Sequence, residues 1–219
     1  MGKTVYSLVL DDAIVAEVDR LAYQNGTNRS GLINRILADY FSFTTPEKRI
    51  RTAFEEVEKW MEAVSGFRMQ PMPSESMMAM QSALAFKYNP SIRYTVELYR
   101  EQSEASGELR VGFRTQNRQL IEGFRSFLLL WARLEEAYLG PYFPGHVVPY
   151  AIENDRYRRR FRIPENREDS RMLGQAVAQY IRLFDTVLKA YFARLGLPEA
   201  VPVAQEVYLT ELQRMEWII

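Results

Sequence analysis

The stretch YSLVLDDAIVAEVDRLAYQNGTNRSGLINRILADYF, residues 6–41, contains a change of periodicity that sets the plan of the N-terminus. Up to Leu10 the pattern alternates as in a β-strand. Thr4, Tyr6, Leu8 and Leu10 fall on one side, and Lys3, Val5, Ser7 and Val9 on the other. Asp11 is placed to cap a helix, and Asp12 puts negative charge on its first turn. Ile14, Val15, Val18, Leu21 and Ala22 then recur at helical spacing until Asn25-Gly26. Thr27 or Asn28 begins a second helix, whose apolar face is Leu32, Ile33, Ile36, Leu37, Tyr40 and Phe41.

A lone strand followed by two helices leaves its backbone N–H and C=O groups without mates inside the unit. The economical solution is the same strand from a second copy, antiparallel across a two-fold axis. On these residues the segment from Lys3 to about Phe43 resembles the ribbon-helix-helix DNA-binding family, of the Arc/MetJ/CopG type. That resemblance implies a homodimer whose intermolecular two-stranded ribbon enters the major groove of double-stranded DNA. It places Lys3, Val5, Ser7 and Val9 at the base edges. Asn28, Arg29 and Ser30 would hold a backbone phosphate at the start of the second helix. Valine can meet a thymine methyl but forms no hydrogen bond. Residues 1–44 carry four basic residues against five acidic ones, little charge for phosphate neutralisation. A ribbon retained only for dimerisation is therefore the alternative.

Beyond Phe43, Thr44, Pro46 and Glu47 signal a helix start, with Ile50, Phe54, Val57, Trp60, Met61 and Val64 on its apolar face up to Ser65-Gly66. A loop is expected next, holding Met69, Met72, Met77, Met78 and Met80. These methionines suit either core gap-filling or an adaptable binding surface. ALAFKYN, SIRYTVELYRE and GELRVGFRTQ within residues 83–116 read as an antiparallel meander with one apolar face. Long amphipathic helices follow over Leu120–Leu139 and Asp169–Leu195, the latter near a heptad that would suit a seam within or between chains. A last amphipathic piece, Val203–Ile218, closes on an apolar EWII expected to dock. The expected fold class is α+β in three parts. Residues 1–44 form the ribbon-helix-helix, 45–66 a connecting helix, and 67–219 a larger domain for a small-molecule effector, a protein partner or higher oligomerisation.

Between the long helices, NDRYRRRFR reads as one arm of a hairpin. Tyr157, Arg159, Phe161 and Ile163 share one face, while Arg156, Arg158, Arg160 and Arg162 take the other as a candidate second anionic site. Solvated surface, nucleic-acid contact and capture of an anionic ligand all fit this pattern.

Composition narrows the chemistry. Of 219 residues none is cysteine and one, His146, is histidine, which removes thiol catalysis and leaves no histidine cluster for a metal. His146 reads as structural or surface. Adjacent carboxylates such as Glu135-Glu136 and Glu55-Glu56 point apart on a helix, so no catalytic residue, metal or cofactor is expected. No apolar run reaches the roughly 20 residues of a membrane span. The expectation is a cytoplasmic, non-enzymatic transcriptional regulator of prokaryotic or phage type, most simply a repressor, without a membrane partner. A plasmid or phage partition or relaxosome accessory protein and a non-DNA scaffold are the alternatives.

Overall fold

The computed structural model describes residues 5–41, 43–86, 89–100, 105–113, 115–161 and 169–219. It is an α+β protein dividing into two compact units, residues 1–49 and 50–219.

In the smaller unit residues 5–10 have no regular secondary structure and pair with no strand among the described residues. Helix α1 (Asp12–Gln24) follows with Asp11 at its cap position, although the Asp11 side chain makes no capping bond. Gly26 takes φ +60° in the turn, a conformation that glycine adopts without a Cβ clash. Helix α2 (Arg29–Tyr40) is capped by Asn28, whose Oδ1 accepts from the Gly31 amide at 2.8 Å. Among the described residues Val18, Ala22 and Leu32 form the buried cluster here, with Leu21 and Ile33 packed at its edge.

Helix α3 (Pro46–Glu62) crosses the division between units. Thr45, not Thr44, caps it, accepting from the Lys48 amide at 3.2 Å. It ends before the expected Ser65-Gly66 stop. Ile50, Ala53, Phe54, Val57 and Met61 lie in the core of the larger unit, so most of the helix expected to connect the modules belongs to that unit.

The larger unit is built on one six-stranded antiparallel sheet of β1 (Phe67–Gln70), β2 (Met77–Ala83), β3 (Ser91–Leu98), β4 (Gly107–Phe113), β5 (Tyr150–Glu153) and β6 (Arg156–Phe161), in the order β1-β2-β3-β4-β6-β5. Two expectations are corrected here. The methionine-rich segment is a β-hairpin and not a loop, and the strand expected at ALAFKYN lies earlier, ending where that run begins. Met78 and Met80 alternate into the core and supply the strand periodicity that β-branched residues usually provide. The arginine hairpin is no separate appendage either, because β6 pairs with β4 and extends the meander.

Helices α4 (Arg118–Tyr138), α5 (Ser170–Phe192) and α6 (Ala200–Leu212) complete the unit. Fifteen of the 23 residues of α5 are buried within its own chain, so its heptad-like stripe serves this core and not a seam between chains. Phe184 sits at the centre. Its ring meets Tyr94 of β3, Phe127 and Trp131 of α4, and Tyr157 of β6, the Trp131 centroid only 4.6 Å away. Gly174 lets α3 and α5 approach closely, since a Cβ there would lie 2.3 Å from the Ala53 carbonyl oxygen. The final residues dock as expected, with Ile219 buried and Trp217 packed on the core.

Candidate nucleic-acid interface

All the described ribbon residues are exposed. Val5 and Val9 are 96% and 102% exposed, and on the other side of the sequence alternation Tyr6, Leu8 and Leu10 are 83%, 64% and 37% exposed. Of that apolar side only Leu8 and Leu10 are covered in part. Ser7 is also exposed, and Lys3 lies outside the described residues. Ile14, Tyr23, Ile36, Leu37, Tyr40 and Phe41 add further exposed apolar surface to the same unit.

At the start of α2, the Asn28 side chain engages the Gly31 amide, and the first intrahelical bond runs from Leu32 N–H to the Asn28 carbonyl. The Arg29 and Ser30 amides open the helix with no recorded partner among the described residues, at the positive end of the helix dipole. The Arg29 guanidinium is already engaged, forking onto Asp19 of α1 with Nε–Oδ1 at 2.7 Å. Hydrogen bonding to Arg29 holds the Asp19 carboxyl below its ordinary range. Arg29 thus ties the two helices together, and a phosphate here would compete with Asp19 for it.

The arginine hairpin divides as its alternation implies. Arg156 and Arg160 are exposed, and Arg158 is half-buried beside Glu153 at 3.6 Å. Arg162 lies outside the described residues. Arg159, on the core face, is fully buried.

Arg159 belongs to a polar cluster that the residue pattern did not single out. Glu135 of α4 accepts from the Tyr157 and Tyr180 hydroxyls, the latter at 2.6 Å, and faces Arg159 Nε at 3.4 Å. Trp131 Nε1 donates to the Tyr180 hydroxyl at 3.3 Å. The remaining Arg159 nitrogens donate to the main-chain oxygens of Arg160 and Ile219, the latter at 2.7 Å, and its guanidinium lies 4.8 Å from the Phe143 ring centroid. Burial, with the Glu135 charge, pushes the Tyr157 and Tyr180 hydroxyls well above the ordinary tyrosine range. Burial is the largest influence on Arg159 and opposes its charge, but Glu135, Tyr180 and Tyr157 together more than offset it, so the guanidinium is held above its ordinary range. The cluster is internally satisfied, and its contacts join α4, α5, β6 and the chain's last residue. One signal could have revealed it: Glu135 shares the α4 stripe with Trp131, Leu128 and Phe124, and a charge on a buried stripe requires a buried partner. Asp185 obeys the same rule on α5, bonded to the Tyr94 hydroxyl at 2.9 Å and to Lys189 at 2.6 Å.

Comparison with protein-family models, curated proteins and solved structures finds no match for this chain.

Glu136, one residue from the buried Glu135, instead faces outward and accepts from the Tyr150 hydroxyl at 2.5 Å. It lines an open hollow with His146, Val147, Val148 and Tyr150. His146 itself is exposed with φ +58°. Among the described residues no group of three or more His, Asp or Glu could hold a metal ion, and no helix is long and apolar enough to cross a membrane.

Proposed function

We propose that this chain is a homodimeric DNA-binding transcriptional regulator in which residues 5–10 of two copies pair as an antiparallel ribbon. The observation that carries this reading is the exposed, unpaired, alternating segment ahead of two helices whose buried cluster has three residues. A unit of under 50 residues with so small a core ordinarily needs a disulfide, a metal or a partner subunit to be stable. The chain has no cysteine, and the described residues offer no metal cluster. A second copy would supply that support. Burying what remains exposed of Leu8 and Leu10 would contribute roughly 1–2 and 0.5–1 kcal/mol respectively on each copy, the exposed fraction of a full leucine burial.

In that arrangement Val5, Ser7 and Val9 project away from the helices towards base edges, and the Arg29 and Ser30 amides receive a phosphate. The ribbon-helix-helix resemblance of residues 3–43 supports the assignment to DNA. The larger unit then serves as an effector, partner or oligomerisation domain.

A salt titration of binding to random-sequence duplex DNA tests this. Affinity that falls linearly on a log–log plot of binding constant against salt is expected. The absence of salt-dependent affinity at low ionic strength would remove the reading, and footprinting would then have nothing to locate.

A further inference from the structure

The helices cover one face of the six-stranded sheet, and the other face carries six arginines. The strand registers place Arg68, Gln81, Arg93, Gly112, Arg156 and Glu153 in one row across β1, β2, β3, β4, β6 and β5. A second row sets Arg110 beside Arg158, and a third sets Arg160 beside Glu108 and Glu97. These residues lie on the opposite side from Tyr94, Val111 and Tyr157, which face the helices.

Acidic partners account for only part of this charge. Arg110 is held by Glu97 and Glu108, and Arg158 lies by Glu153. Arg68, Arg93, Arg156 and Arg160 are exposed and make no ion pair among the described residues; Arg93 donates to the Met72 sulfur at 3.6 Å. Among the described strand residues of this face, six arginines against Glu97, Glu108 and Glu153 leave an excess of three positive charges, in a chain whose formal net charge is zero.

The first row also has a notch. Gly112 separates Arg93 from Arg156, and a Cβ added there would meet only the Arg156 side chain, at 4.0 Å. Two strand spacings put the Arg93 and Arg156 backbones about 9.5 Å apart. An anion seated over Gly112 can therefore be approached by a guanidinium from each side, the geometry that suits phosphate oxygens.

We infer that this sheet face is a second contact for the phosphate backbone of duplex DNA. The inference rests on the reading of the chain as a DNA-binding protein and extends it from the ribbon to the larger unit. Charge complementarity selects a polyanion. None of the face's described strand residues is aromatic, and the Tyr99 hydroxyl is bonded to Glu108, so these strands lack the stacking platforms that single strands use. The face also supplies what the N-terminal segment lacks, since residues 1–44 hold fewer basic than acidic residues.

The test compares the full chain with an Arg93→Gln/Arg156→Gln/Arg160→Gln variant, measuring binding to random duplex DNA by fluorescence anisotropy at several salt concentrations. All three residues are exposed, so the far-UV circular dichroism and melting curve should match the parent. Each lost phosphate contact should reduce the salt slope by about 0.9, so a fall of two to three is expected. A parent-like slope overturns the sheet contact and leaves the ribbon reading standing. A reduced slope in this variant, with unchanged binding by a Val5→Asp/Val9→Asp variant, supports the sheet contact and removes the ribbon. Tighter binding of the parent to single-stranded than to duplex DNA of equal length overturns the assignment to duplex.

Discussion

Replacing Glu135 by alanine should be among the most damaging single changes in the larger unit. Glu135, Tyr157, Tyr180 and Arg159 are each at most 1% exposed, so no water can take over the lost contacts without opening the core. The substitution removes the acceptor of two tyrosine hydroxyls and leaves the Arg159 charge buried without its carboxylate. Breaking a buried pair from one side costs about 3–5 kcal/mol, a large share of the roughly 5–15 kcal/mol that stabilises a domain. With a urea dependence of roughly 2 kcal/mol per molar, the unfolding midpoint should fall by about 2 M. Equilibrium urea unfolding followed by tryptophan fluorescence reads this directly, because Trp131 donates to Tyr180 in the same cluster. Removing both charges in Glu135→Leu/Arg159→Met should recover at least half of the loss, because no ion is then left stranded. A cost below about 1 kcal/mol for Glu135→Ala, or a double variant as unstable as the sum of its parts, would refute the cluster as described.

Gly174→Ala should destabilise the larger unit by about 1–3 kcal/mol through its collision with the Ala53 carbonyl oxygen, visible as a lower melting temperature; an unchanged melt would contradict the α3–α5 approach. The buried Tyr94, Tyr157 and Tyr180 hydroxyls have folded-state pKa values raised above the ordinary tyrosine value near 10. Their contribution to stability is thus complete below pH 10 and declines as pH rises beyond it. Urea midpoints measured from pH 9 upwards should fall accordingly, and a flat profile would contradict their burial as neutral groups. Asn28→Ala should cost about 1 kcal/mol of α2 stability through loss of the cap on Gly31, read as increased hydrogen exchange in that helix. In DNA binding, Arg29→Pro, which removes one of the two phosphate-binding amides at a first helical position that tolerates proline, should weaken all sequences alike while Ser7→Ala shifts sequence preference, and matching losses in a binding-site selection experiment would contradict that division of roles.

The parts of the fold that were legible in the sequence are those whose periodicity matched one local rule. The arginine arm separated correctly, with Arg159 assigned to the side of Tyr157 and Phe161, because period-two alternation does not depend on residue type. The cap of α2 was readable as Thr27 or Asn28, short polar side chains just before the apolar repeat, and the structure selects Asn28. The methionine hairpin was hidden because five methionines and two prolines carry little strand propensity, and only pairing of β2 with β3 makes that segment extended. The order β4-β6-β5 depends on a contact across about 50 residues, which local pattern cannot specify. The basic sheet face was half legible for the same reason. Arg156 and Arg160 stood out as a run, but Arg68 and Arg93 join them only through strand register.

Hydrogen exchange at the amides of residues 5–10 in the full chain, followed over a wide dilution series, bears most directly on whether that segment finds its mate on an identical molecule. Protection at high concentration that disappears on dilution, as mass falls from two chains to one, is the result this account predicts. Free exchange of these amides at every concentration, or protection that dilution leaves untouched, would contradict it.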